Sequence, residues 1–134
     1  MYLNFLFQLI QLLLAALGPY SHASIFDDRL IFLSGQFGLD PAIGKLATSE
    51  EHGDVYAQTH QTLKNITNVL EDCGSSLSQV LKTTILLTSM DNFDAVNKIY
   101  VEYFTDNKPA RGCFAVSQLP KNALIGMEVV AYKN

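Results

Sequence analysis

Two charged residues, Arg111 and Glu128, lie in strand-like apolar sequence, where a charged side chain needs a partner or water. Arg111 lies in residues 109–113 (PARGC), and Glu128 lies in residues 125–131 (IGMEVVA). A guanidinium group offers a planar fork that fits a carboxylate with two hydrogen bonds. A carboxylate nearby can hold or activate a water molecule. This pair of residue types could therefore bind a small anionic substrate and direct water at it.

Whether the two side chains meet depends on a predicted hairpin. Strand-like segments at residues 111–118 and 123–132 flank the turn sequence LPKN, and a hairpin is the simplest connection. With the turn centred on its Pro-Lys pair, Cys113 faces Glu128, and Arg111 lies diagonal to Glu128 on the same face. A structural ion pair, or two solvated charges at a sheet edge, is the alternative to a binding site and stays open.

Other segments carry the patterns of the elements that must position this pair. β-branched and apolar residues predict strands at 29–36 and 80–88, and a further strand before residue 29 stays open. Apolar spacings of three, four and seven predict a helix over 54–73, with Gly74 at its C-cap. A second helix begins at residue 91 or 92, and its apolar stripe is Phe93, Val96, Tyr100, Tyr103 and Phe104.

The order of these elements is strand, helix, strand, helix, strand, strand. It predicts an α+β fold in which a mixed β-sheet carries two helices packed on one face. A sheet covered on one side leaves its other face open, and either the apolar N-terminal segment or neighbouring subunits must cover it. The pattern therefore predicts a homo-oligomer.

Composition narrows the function classes. The chain has 134 residues, a net charge of −4 and 16% charged residues, which predicts a mildly acidic domain without the basic stripe of a nucleic-acid-binding protein. Cys73 and Cys113 form no C-x-x-C pair, which favours a reducing, cytoplasmic location. His22, His52 and His60 lack metal-ligand spacing, so no metal site is predicted.

The first residues are atypical. Residues 1–14 are almost wholly apolar, and we expect one domain over residues 15–134. No Lys or Arg precedes the apolar stretch, and the stretch is short for a membrane span. An export signal or membrane anchor, a buried strand or helix, and a faulty gene model all stay open; without an anchor, no membrane association is expected.

Six motifs follow one another between residues 18 and 131: GPYS, SGQ, VNKIY, PARGC, LPK and MEVVA. Together they resemble the signatures of the RidA/YjgF family of reactive-intermediate deaminases, from about residue 15 to the C-terminus. The resemblance implies a fold similar to that of the Bacillus-type chorismate mutase. It further implies a homotrimer with a central barrel and active sites in clefts between subunits.

The resemblance also implies roles for particular residues. Arg111 resembles the arginine that grips the substrate carboxylate, and Glu128 the acidic residue that holds the attacking water. The implied reaction is hydrolysis of 2-iminobutanoate and 2-iminopropanoate, products of pyridoxal-phosphate-dependent dehydratases, to 2-oxo acids and ammonia, without a cofactor of its own. The residues implied to line or flank the substrate pocket are Tyr20, Ser34, Gly35, Asn97 and Cys113.

Two other functions stay open beside the deaminase. A non-catalytic module could use the same cleft to bind or sense a small carboxylate. A ribonuclease or translation inhibitor is the third hypothesis, and the acidic composition argues against it.

Overall fold

The computed structural model describes residues 18–134. The predictions for residues 1–14 therefore lie outside the described residues. Within residues 18–134, no helix is both long enough and apolar enough to cross a membrane.

The described residues form a five-stranded sheet, a two-stranded ribbon and two α-helices. The strands of the large sheet are β1 (Ala23–Phe26), β2 (Leu30–Phe37), β5 (Val80–Leu87), β6 (Ala110–Ala115) and β7 (Ile125–Tyr132). The ribbon strands are β3 (Leu39–Asp40) and β4 (Lys45–Leu46), and the helices are α1 (Asp54–Asp72) and α2 (Phe93–Tyr103). The large sheet has the order β1-β2-β7-β5-β6, with β5 and β6 parallel and the other pairs antiparallel. The predicted α+β fold with a mixed sheet and two helices is confirmed.

Both helices pack on one face of the sheet, and the core lies between the two layers. In α1 the apolar residues Leu63, Ile66, Val69 and Leu70 are buried, and the helix ends in a Schellman motif. The N–H of Gly74, whose φ is 83°, donates to Glu71 at 3.0 Å, and the N–H of Ser75 donates to Leu70 at 2.8 Å. The largest fully buried side chains include Ile31, Leu63, Ile66, Leu70, Ile85, Phe104 and Met127.

The predicted hairpin between the last two strands is wrong. Among the described strands, β6 pairs only with β5, in parallel, and β7 lies on the other side of β5, between β5 and β2. Two physical reasons explain this order. The connection from β5 through α2 is long enough to return the chain in parallel, as a strand–helix–strand unit does. The more apolar β7 takes the centre of the sheet, whereas β6, with most of its residues exposed, takes the edge.

The other face of the sheet carries no helix in the described part of the chain. It presents three large exposed aromatic side chains, which are 68%, 45% and 59% accessible at Phe26, Phe32 and Phe114. The strand register shows that these three side chains point away from the face that carries the buried Ile31 and Ile85. They therefore lie on the helix-free face.

Candidate functional site

The strand register decides which face each proposed site residue occupies. Arg111 is the Cα partner of Thr83, whose side chain is fully buried beneath α2. Glu128 is the Cα partner of Thr84, the next residue along β5. Because neighbouring residues of a strand point to opposite faces, Arg111 lies on the helix-covered face and Glu128 on the helix-free face. Within one chain the two groups therefore do not meet, and an Arg111–Glu128 ion pair is not formed.

The first group of predicted site residues surrounds Arg111, at the open edge of the sheet beside α2. The Arg111 guanidinium donates from its Nη1 atom to the Oδ1 atom of Asn97 at 2.7 Å. Its Cζ atom lies 5.0 Å from the ring centroid of Tyr100 and 5.7 Å from that of Phe93. These are cation–π distances. The guanidinium is exposed to solvent yet contacted on several sides, as a preorganised anion-binding group would be.

Cys113 belongs to the same group, because it lies two residues beyond Arg111 on the same face of β6. Its side chain is half-buried and packs against the core. Burial raises the pKa of the Cys113 thiol, and the positive charge of Arg111 acts in the opposite direction. The thiol is therefore mainly protonated at neutral pH, which fits a pocket wall better than a nucleophile.

The second group of predicted site residues lies on the β2–β7 side of the sheet, where Glu128 points to the helix-free face. The register of β2 with β7 shifts between Leu33 and Gln36, so Ser34 and Gly35 stand together opposite the single residue Glu128. This is a β-bulge. A Cβ atom added at Gly35 would lie 3.9 Å from the Cγ atom of Glu128, so the two residues are direct neighbours, and Glu128 is exposed.

Ser34 also ties the segment carrying Tyr20 to the sheet. Its Oγ atom donates to the carbonyl of Ser21 at 2.6 Å, and its backbone N–H donates to the carbonyl of His22 at 2.9 Å. The side chain of Tyr20 is exposed. Tyr20, Ser34, Gly35 and Glu128 thus belong to the β2–β7 side of the molecule.

The seven predicted site residues therefore fall into two groups, and the charged residues of the two groups, Arg111 and Glu128, lie on opposite faces of the sheet. Arg111, Asn97 and Cys113 form what we call the arginine group. The others form the glutamate group: Tyr20, Ser34, Gly35 and Glu128. Within residues 18–134, Arg111 and Glu128 do not share the single hollow expected from the hairpin register, because β5 separates their strands and their side chains leave the sheet on opposite faces.

The sequence interpretation missed the aromatic surroundings of Arg111. It placed Phe93 and Tyr100 in the core stripe of α2, where both do pack. The available signal was their spacing from Asn97, since residues four and three apart share one helical face. That face points at β6, so the same residues serve both the core and Arg111.

In residues 18–134, no group of three or more His, Cys, Asp or Glu side chains is arranged to hold a metal ion. His60 in α1 and His52 just before this helix lie instead in a run of ring contacts through Tyr56. Tyr56 is 4.6 Å from both imidazoles, centroid to centroid. His22 lies 3.5 Å from the side-chain amide of Gln36, next to the glutamate group.

Comparisons with known proteins agree with this architecture. The Endoribonuclease L-PSP family model matches residues 11–133. A RutC family protein of Pyrococcus horikoshii is 44% identical over 117 residues, which cover 87% of this chain and 89% of that protein. A human protein named 2-iminobutanoate/2-iminopropanoate deaminase is 43% identical over 116 residues, which cover 87% of this chain and 81% of the human one.

Solved structures have the same fold. The crystal structure of E. coli TdcF with bound serine matches with a TM-score of 0.83 and 26% identity, covering 92% of this chain and 95% of TdcF. The chain therefore belongs to the Endoribonuclease L-PSP family, which is also the RidA/YjgF family.

Proposed function

We propose that the protein is a deaminase that hydrolyses 2-iminobutanoate and 2-iminopropanoate to the 2-oxo acids and ammonia. The observation that carries the proposal is the Arg111 guanidinium, which is solvent-exposed but held by Asn97 and two aromatic rings. Such a group suits a small carboxylate. Relatives more than 40% identical carry the name of this activity, and TdcF was crystallised with serine, which also bears a carboxylate.

The separation of the two groups supports an active site shared between subunits. Because Arg111 and Glu128 lie on opposite faces of one sheet, a complete site needs the arginine group of one subunit and the glutamate group of another. We propose a homotrimer with a central barrel, in which the helix-free faces of the sheets pack together. Three exposed aromatic side chains on that face would then be covered.

In the proposed reaction, Arg111 binds the substrate carboxylate through two charge-assisted hydrogen bonds. Glu128 of the neighbouring subunit holds a water molecule and takes a proton from it as the water oxygen bonds to the imine carbon. Glu128 passes this proton to the imine nitrogen, which gives a neutral carbinolamine. A second proton then moves from the carbinolamine hydroxyl through Glu128 to the nitrogen as the carbon–nitrogen bond breaks, so that ammonia leaves and the hydroxyl oxygen becomes the carbonyl oxygen of the 2-oxo acid. The imine carbon is already electrophilic, so positioning of the reactants could supply much of the acceleration and no cofactor is invoked.

The test couples a threonine dehydratase to the purified protein and follows imine disappearance against the spontaneous rate. We expect Arg111→Ala to lower kcat/KM by about 100-fold or more, because it removes two hydrogen bonds to a charged group. Arg29→Ala, at an exposed position outside the site, is the matched control and should keep the wild-type rate.

Equal rates for wild type and Arg111→Ala would contradict the proposal. An inert wild type whose Tm rises with 2-oxobutanoate would instead indicate a non-catalytic carboxylate-binding protein. We propose no nucleic-acid partner despite the name of the family model, since the net charge of −4 opposes binding to phosphates. A cytoplasmic location stays a prediction.

A further inference from the structure

We propose that Tyr100 and Thr83 are positioning residues that fix the orientation of the Arg111 guanidinium. The inference rests on the proposed function, because it concerns how the carboxylate-binding group is held. Tyr100 is one of the two rings already described beside Arg111. The inference adds buried Thr83, and it assigns the hydroxyl pair of Thr83 and Tyr100 a role distinct from core packing.

The ring of Tyr100 is restrained at three places. Its hydroxyl lies 2.9 Å from the Oγ1 atom of Thr83, which is completely buried. Its ring packs against Phe104, with centroids 4.6 Å apart and an interplanar angle of 31°. The Arg111 Cζ atom lies 5.0 Å from the same ring. Tyr100 therefore connects a fixed point in the core to the exposed guanidinium.

The strand register explains why this arrangement forms. Thr83 and Arg111 are Cα partners on β5 and β6, so their side chains leave the sheet next to each other on one face. A tyrosine whose hydroxyl is bonded to Thr83 must then extend beside Arg111. The hydroxyl pair thus sets where the ring lies, and the ring limits where the guanidinium can go.

The charge state of Tyr100 shows how it interacts with Arg111: a neutral ring contacts the guanidinium, and no phenolate forms an ion pair with it. Burial raises the pKa of the phenol, while the hydrogen bond to Thr83 and the charge of Arg111 act to lower it. Burial is the largest cause, so the phenol stays neutral at physiological pH. The guanidinium then keeps its full charge for a substrate carboxylate instead of sharing it with a phenolate.

Without such a support, an arginine on an edge strand would sample many rotamers, and binding would have to freeze them. Asn97 fixes one nitrogen of the fork, and Tyr100, whose ring centroid is 5.0 Å from the Cζ atom, supports its plane more closely than Phe93 at 5.7 Å. Together these two contacts define the orientation of the Arg111 guanidinium. One contact alone would leave the guanidinium free to rotate about its side-chain bonds. Loss of either should therefore misplace the fork, and small misplacements reduce catalysis strongly.

The first experiment measures imine hydrolysis by Thr83→Val, Tyr100→Phe and the double variant. Each single change removes the same hydroxyl contact, so we expect each to lower kcat/KM about tenfold, and the double variant to be no worse than the singles. Thr83→Ser restores the hydroxyl and should restore the rate. In an Arg111→Ala background, the same changes should have no further effect, because the residue through which they act is gone.

Tyr103→Phe is the matched control. It also removes a phenol hydroxyl from α2 that makes a 2.9 Å contact, but that contact is with the Nδ1 atom of His60. We expect it to keep nearly the wild-type kcat/KM. A tenfold loss in Tyr103→Phe as well would show that general loosening of α2 causes the effect, and would overturn the inference.

A second measurement needs no substrate. Arg29 and Arg111 are the two arginines of the sequence, so the arginine Nε–Hε region of an NMR spectrum carries two signals, and Arg111→Ala assigns them. Heteronuclear relaxation should show a restrained Arg111 side chain in the wild type and a mobile one in Thr83→Val and Tyr100→Phe, with Arg29 unchanged.

A rigid Arg111 signal in both variants, or their full wild-type activity, would overturn the inference. A wild type that does not hydrolyse imines would instead sink the proposed function, and the relaxation data alone would then decide the positioning role. The two failures are thus distinguishable.

Discussion

Arg111 and Glu128 illustrate what single residues reveal in sequence. Their types and their apolar surroundings were sufficient to single them out as candidates for carboxylate binding and water activation. The sequence could not show which face of the sheet each residue occupies. The relative faces of two strands depend on which strands pair, and long-range contacts decide that pairing. A local pattern therefore predicted the groups and misplaced them relative to each other.

At the same scale, the charge of Arg111 should be measurable through its neighbour Cys113. Burial raises the pKa of this thiol and Arg111 lowers it. Alkylation by iodoacetamide requires the thiolate, so the rate at Cys113 should rise with pH and reach half its maximum above the ordinary thiol value. In Arg111→Ala the lowering influence is lost, and the half-maximum should move to still higher pH.

Peptide mass spectrometry separates Cys113 from the buried Cys73 in this experiment. The midpoint of the pH profile is the readout, because a change in access alters the maximal rate but leaves the midpoint in place. Arg29→Ala should leave the profile unchanged. A midpoint that falls in Arg111→Ala would mean that the guanidinium does not act on the thiol as described.

At the scale of elements, helices and strands followed from periodicity, whereas their order in the sheet did not. The helix predicted over 54–73 is α1 at Asp54–Asp72, and the strand predicted over 80–88 is β5 at Val80–Leu87. The turn sequence LPKN did form a turn, with Lys121 and Asn122 at φ near 60°. A turn sequence predicts that the chain reverses direction, but it does not predict which strand the next strand pairs with.

The contact between α1 and the end of β2 offers a prediction on stability. A Cβ atom at Gly38 would lie 2.6 Å from the Cα and carbonyl oxygen of Gln58 in α1, so backbone would have to move. The side chain of Gln58 accepts a hydrogen bond from the N–H of Leu124 at 2.8 Å, which ties this contact to the segment before β7. We expect Gly38→Ala to lower the free energy of unfolding by about 1–3 kcal/mol.

Denaturant unfolding followed by circular dichroism measures the change, with Gly35→Ala as the matched control. A Cβ atom at Gly35 meets its nearest neighbours at 3.7 and 3.9 Å, which are ordinary contacts, so stability should change little. If Gly38→Ala unfolds at the wild-type midpoint, the close packing of α1 on this glycine is not as described.

At the scale of the whole molecule, the decisive feature is the separation of the arginine and glutamate groups by the sheet. An oligomer was predicted from the uncovered face of a one-sided sheet, and the exposed Phe26, Phe32 and Phe114 give that face an apolar surface. The separation adds a functional reason: each complete site would need two chains. Assembly and activity should then be lost together.

Complementation between inactive subunits tests this directly. Arg111→Ala and Glu128→Gln should each be nearly inactive alone, because each removes one group from every site. In mixed oligomers, some sites would combine the intact arginine group of the Glu128→Gln subunit with the intact glutamate group of the Arg111→Ala subunit. With random mixing in equal amounts, half of the subunits supply each intact group, so about a quarter of the sites should be complete.

The mixture is prepared by joint refolding or co-expression, and its imine hydrolysis is compared with that of each variant alone. Recovery of about a quarter of wild-type activity would require the two groups to come from different chains. A mixture of Arg111→Ala with Asn97→Ala is the control: both changes lie in the arginine group, so no mixed site regains both residues and activity should stay low. No recovery with Glu128→Gln, in oligomers shown by mass spectrometry to be mixed, would mean that the site is not shared as proposed.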